Sequence, residues 1–196
     1  MVHRLSAILA TAVVFFVTSL LLGQGVGIKS KVLVREVRFT GELGLPVSEL
    51  QEYTQFLTNH PLERAKVLES ASVAVESGLR HRGYLKAQVT PKLQSIKRAV
   101  NRKDTQAILE LSIEARKQYR VKEISFAGAS NELLEAELRH AFDIQPGDLA
   151  DAEEISVGID NLMTEFRRKG KDVFIIPNMI FDNPASTVSL RFDIQK

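Results

Sequence analysis

Four histidines, a run of carboxylates and a glycine-crowded stretch beside a lysine are the residues of this chain whose types could do chemistry. His3, His60, His81 and His140 could act as acid–base groups or metal ligands, but they are scattered, and none stands in a His-Glu-x-x-His spacing. His81 and His140 fall near the ends of expected helices, where an imidazole meets unpaired carbonyls and caps them. Asp143, Asp148, Asp151, Glu153 and Glu154 gather the oxygen donors that a hard cation takes. Asp151 and Glu154, however, stand three apart just ahead of an apolar stripe, the signature of a helix start. Gly23, Gly25, Gly27 and Lys29 suggest a phosphate loop, which needs a strand before it and a helix N-terminus after it. Here the lysine is not adjacent to the last glycine, and the next segment reads as a strand. With no cysteine, thiol nucleophiles, thiolate metal sites and disulfides are excluded. The sequence therefore predicts no catalytic residue, no metal site and no cofactor.

The elements that would position any site are written twice. VREVRFTG at 34–41 returns 87 positions later as VKEISFAG at 121–128. Each stretch reads as a half-buried strand closed by a glycine turn, with Val37 and Phe39 on one face of the first copy and Ile124 and Phe126 in the second. A short amphipathic helix follows each, over about 47–57 with Leu50, Tyr53 and Leu57, and over about 131–142 with Ser130 as cap and Leu134, Leu138 and Phe142 in steps of four. A longer helix comes next. Ile155, Ile159, Leu162 and Phe166 form one stripe, and their counterparts 87 earlier are Leu68, Ser72, Val75 and Leu79. Ala71 stands where the later copy has Gly158. Both helices stop at a basic turn and a glycine, RHRG at 80–83 and RRKG at 167–170, because cations suit the negative helix end and glycine the turn after it. Two strands close each copy, at 84–93 and 107–115 and again at 173–181 and 187–194. LELSIE at 109–114 matches LRFDIQ at 190–195 across 81 residues, and Asn183-Pro184 makes the shorter turn.

Each copy thus reads β-α-α-β-β. The predicted fold class is α+β: two tandem units, each a three-stranded mixed sheet covered on one face by two helices, at 32–116 and 117–196, with a tight junction at 116–119. Charge separates the units. Residues 29–116 carry 15 Lys plus Arg against 10 Asp plus Glu, and residues 117–196 carry 10 against 14. Such opposition argues against a nucleic-acid partner, which would need one continuous basic face. Ahead of the repeats, residues 1–28 place one arginine before an apolar run at 5–22 and small residues after it, the layout of an export signal. Its 18 residues would span about 27 Å, so cleavage after Gly25 and retention as a membrane anchor both remain open.

On VREVRFTG, VKEISFAG, the helix-to-strand junction RHRGYLKAQV and the proline-glycine of IQPGDL at 144–149, the chain resembles the polypeptide-transport-associated (POTRA) family from residue 32 to the end. It departs from the pattern at Lys171, where the first copy has Tyr84, and the first copy lacks the Pro-Gly-Asp of 146–148. The resemblance implies protein-docking modules, not enzymes, placed in the periplasm beside a membrane β-barrel that inserts or secretes proteins. It also implies that the strands of each unit lie in the spatial order first, third, second, leaving the second at an edge. No barrel strands follow the second unit, so the implied barrel is expected on another chain, with that barrel or unfolded client segments as partners. The alternative is an inner-membrane-anchored periplasmic protein that organises envelope or division complexes.

A free sheet edge presents unpaired N–H and C=O groups that an extended segment can complete. The best candidate is DVFIIPNMIF at 172–181. Carrying the 87-residue offset through it places Phe174 and Ile176 towards the helices and leaves Val173, Ile175, Pro177 and Met179 as the partner-facing set. The competing expectation is that this face packs against the neighbouring unit. The first unit's edge, with Lys86, Gln88 and Thr90 outward, reads as defended against pairing. Beside it Lys97, Arg98, Arg102 and Lys103 form a basic loop, suited to an acidic partner or lipid headgroup or simply solvated.

Overall fold

A computed structural model of the chain describes residues 31–96, 105–128 and 135–195. The export signal or anchor at 1–28, the basic loop of Lys97, Arg98, Arg102 and Lys103, and the expected cap Ser130 with Leu134 lie outside the described residues.

The first unit runs β1 (Lys31–Glu42), α1 (Val47–Thr54), a 3-10 turn (Gln55–Thr58), β2 (Leu62–Glu63), α2 (Arg64–His81), β3 (Gln88–Ser95) and β4 (Thr105–Glu114). The second runs β5 (Arg120–Ala127), α3 (Glu135–Ala141), α4 (Ala152–Arg168), β6 (Phe174–Asp182) and β7 (Thr187–Gln195). Sheet order is β2-β1-β4-β3 in one and β5-β7-β6 in the other. The long strands therefore follow the expected order, parallel between first and third and antiparallel between third and second.

The first sheet has a fourth strand that the three-strand expectation omits. Leu62 and Glu63, just before α2, pair antiparallel with Lys31 and Val32. The second unit keeps a remnant of it at the place 87 residues on, where Leu149 bridges Arg120. Two residues are too few to show an alternation, so the sequence carries no strand signal there.

Both first strands bulge at one point. The parallel register slips between Val34 and Glu36 and again between Val121 and Glu123, leaving Arg35 and Lys122 as extra residues. A bulge shifts parity by one, which explains why Val34 and Val37, three apart, both point inward. The closing glycines also match. Gly41 and Gly128 hold φ of 90° and 83°, and a Cβ on either would land on the carbonyl oxygen of Ile113 or Ile194, the same rung of each ladder.

Each unit has its own core. Val34, Leu50, Leu57, Val75, Leu79, Leu109, Leu111 and Ile113 are fully enclosed in the first, and Phe142, Ile155, Leu162, Phe166, Leu190 and Phe192 in the second. Burying one such side chain contributes about 1.5–3 kcal/mol, so the α4 stripe alone accounts for a large share of the second unit's stability. Phe192 stacks on Phe126 at 5.7 Å and lies 4.8 Å from Phe142, joining the β5–β7 rung to the end of α3 on the core side of the sheet. Asp151 caps α4, its Oδ1 accepting from the N–H of Glu153 at 2.7 Å and of Glu154 at 3.3 Å, as its position ahead of the stripe predicts.

The junction is bonded to both units. Tyr119 is buried; its N–H donates to Gly83 O at 2.9 Å, and its own carbonyl accepts from Ala150 N at 3.0 Å. Gln118 Nε2 donates to Arg82 O at 2.8 Å, and His81 Nδ1 lies 3.3 Å from Glu153 Oε2 across the two long helices. Leu85 of the first unit packs onto the second core.

Candidate functional site

β3 and β6 are edge strands, each hydrogen-bonded to one neighbour only. Both carry a proline at the same rung: Pro91 opposes Leu111, and Pro177 opposes Phe192. Proline cannot donate to a ladder, so an edge is where a sheet tolerates it. Leu111 and Phe192 are 81 apart whereas the prolines are 86 apart, which fixes the true correspondence of the edges.

That correspondence reverses the expected face of β6. Ile175 opposes Ile194, as Val89 opposes Ile113, so the edge offset is 86 and not 87. One residue is missing between Gly170 and β6 relative to the stretch from Gly83 to β3, and a one-residue slip turns every side chain over. Val173 is accordingly buried, and Ile175 is half-buried and packs on the core. Pro177 and Met179 share this core-side parity but stand exposed on the strand's rim, Met179 at 37%. The residues on the open face are Phe174, Ile176, Asn178 and Ile180, with Phe174 at 73% and Ile180 at 61% exposure. The prolines, read as markers in place of the glycines, would have found this from sequence.

The open face differs in kind between the edges. In β3 it shows Gln88, Thr90, Lys92 and Gln94, with Gln88 and Thr90 exposed as expected. In β6 the same positions hold Phe174, Ile176, Asn178 and Ile180, and no charge occurs from Phe174 to Phe181. Lys92 and Pro91 blunt the first edge against unwanted pairing, whereas the second keeps the proline, Pro177, without a charge beside it. Across the face, Asn178 Nδ2 donates to Asp193 Oδ2 at 2.8 Å and Arg191 Nε to Asp193 Oδ1 at 2.9 Å, so the polar groups beside the apolar rail are paired within the sheet.

Lys86 departs from its expected place. It precedes β3, half-buried, and its ammonium reaches into the second unit: 3.0 Å from Asn183 Oδ1, 4.0 Å from the Phe181 ring centroid and 5.5 Å from that of Tyr119. It belongs to the contact between units, not to a free edge.

Asp148, Asp151, Glu153 and His81 have local partners. Asp148 Oδ2 accepts from Gln145 N at 2.8 Å, Asp151 caps α4, and Glu153 faces His81, whose Nε2 lies 3.3 Å from Ser77 Oγ. Elsewhere Glu49 holds Arg82 at 2.8 Å and accepts from the Tyr53 hydroxyl at 3.0 Å. Burial, and then that carboxylate, push the Tyr53 phenol above its ordinary range; the same carboxylate raises Arg82.

Comparison with known proteins places this geometry. Among solved structures, POTRA domains 3–5 of Haemophilus influenzae BamA superpose with a TM-score of 0.61 at 19% identity, over 87% of this chain and 63% of that one. Haemophilus ducreyi BamA lacking POTRA domains 1–3 gives 0.57 at 20%, over 84% and 29%, and POTRA 1–2 of Omp85 from Anabaena gives 0.50 at 15%, over 84% and 96%. The chain thus spans under two thirds of the two BamA chains. A search of curated proteins finds no match. The family model POTRA, described as a surface antigen variable number repeat, matches residues 32–116 and again 119–196. With both repeats matched and the fold shared, the chain belongs to the POTRA family.

Proposed function

We propose that this chain is a periplasmic protein-docking scaffold of outer-membrane protein assembly or secretion, which captures extended segments by adding a strand to the β6 edge. The observation that carries the reading is β6 itself: one neighbour, eight consecutive uncharged residues, and Phe174, Ile176 and Ile180 presented on the open face. Main-chain bonds along such an edge supply affinity, and side chains on alternate positions supply selectivity. The matching occupant is an uncharged strand with large apolar residues on every second position, the pattern of a membrane-barrel strand. The partner is a membrane barrel or its unfolded precursor, and membrane association would come through residues 1–28.

Ile176→Lys tests this. A lysine on the open face should lower capture of a synthetic barrel-strand peptide by about tenfold, the scale of one lost apolar contact plus a charge on the rail, with the far-UV circular dichroism unchanged. Gln88→Lys on the other edge should leave capture unaltered. Equal capture by the Ile176→Lys chain and wild type would refute the edge. A second reading, a structural protein held at the inner membrane, draws on the apolar length of residues 5–22. Fractionation of cells, with N-terminal sequencing of the mature chain, decides between them.

A further inference from the structure

The turn that ends β6 is fastened by one side chain of the first unit and two of the junction. Asn183 Oδ1 accepts from Lys86 Nζ at 3.0 Å and from the Tyr119 hydroxyl at 2.8 Å, while its backbone oxygen accepts from Lys117 Nζ at 2.6 Å. Phe181, the last large side chain of β6, meets Tyr119 edge-on at 4.9 Å, and the Lys86 ammonium sits 4.0 Å from its ring centroid. Three donors and two rings therefore converge on one hairpin end. Only Lys86 comes from within the first unit, because Lys117 and Tyr119 lie in the junction.

We propose that Lys86 is a positioning residue for the β6 edge: it ties the docking strand of the second unit to the first, so that the edge and the angle between the units move as one element. This rests on the docking reading for its purpose, though not for its geometry. A cation over an aromatic face, partly shielded from water, resists displacement in a way that an exposed ion pair does not. Among the described residues no acidic side chain partners Lys86; it holds an amide oxygen and a ring, both of which belong to the hairpin. An incoming strand that extends along β6 to Phe181 arrives at this lysine and so at the first unit.

The full chain has no cysteine, so spin labels can be placed cleanly at Glu69→Cys on α2 and Asp160→Cys on α4, both exposed. Lys86→Met, which keeps stem length but removes the charge and the donor, should broaden the inter-label distance distribution. It should also raise hydrogen exchange in peptides covering residues 179–189 by about fivefold, the scale of one shielded cation–ring contact. Lys86→Arg should restore both, since a guanidinium serves the ring and the amide alike. If either measurement is unchanged in Lys86→Met, the inference is overturned. Peptide capture by wild type is read separately: its absence sinks the docking reading alone, and unchanged distances or exchange in Lys86→Met sink this inference alone.

Discussion

Replacing Gly128 by alanine measures the closing rung of the second sheet. At φ of 83° an L-residue is strained, and the added Cβ would land on Ile194 O. The backbone strain costs about 1–3 kcal/mol. Opening the rung to clear the methyl sacrifices about one further hydrogen bond, roughly 1 kcal/mol. The sum is about 3 kcal/mol, to be read from urea unfolding by circular dichroism and tyrosine emission. Gly170→Ala is the control: its φ is 71°, but nothing lies within 4 Å of the added Cβ, so strain acts alone. The melting shift also reports cooperativity. A unit of this size unfolding by itself would lose about 12–24 °C, whereas the whole chain unfolding as one block would lose about 6–12 °C. Gly41→Ala should repeat the result in the first unit, where Ile113 O is the obstacle. Losses for Gly41→Ala and Gly128→Ala no larger than that for Gly170→Ala would refute the close-approach argument.

Two further outcomes follow from contacts described above. Asp151→Ala removes the acceptor for two N–H groups at the start of α4 and should cost about 1 kcal/mol in chemical unfolding, with Asp151→Ser recovering most of it. Tyr53 should ionise above the usual tyrosine range in an alkaline absorbance titration, because it is partly buried and donates to Glu49. A raised phenol pKa means that the folded state holds the proton more tightly than the unfolded one. The stability it contributes is complete below the unfolded value and drains away as pH climbs through the folded one. Glu49→Gln removes the negative neighbour and should bring the transition down.

The elements legible in the sequence were those with a long local period. Ile155, Leu162 and Phe166 recur over about three turns, so α4 and its buried face could be read directly, as could the glycine stops at Gly83 and Gly170. The face of β6 was misread because the 87-residue offset that holds through the helices was carried past Gly170, where one residue has been lost. A strand's period of two makes that single residue decisive. The missing signal was present in Pro91 and Pro177, whose 86-residue spacing agrees with the ladder. The short β2 was illegible for want of length. The contacts of Lys86 with Asn183 and of Tyr119 with Asn183 span 97 and 64 residues, and side chains so distant along the chain leave no periodic trace.

The extra residue in both first strands, Arg35 and Lys122, falls at corresponding sites of the two units. The units therefore agree in the inner pair of strands and differ at their borders: β2 is developed in one and is a single bridge in the other, and one outer rail is polar where the other is oily. A segment laid along one border would meet different side chains on the other, so the two edges select differently.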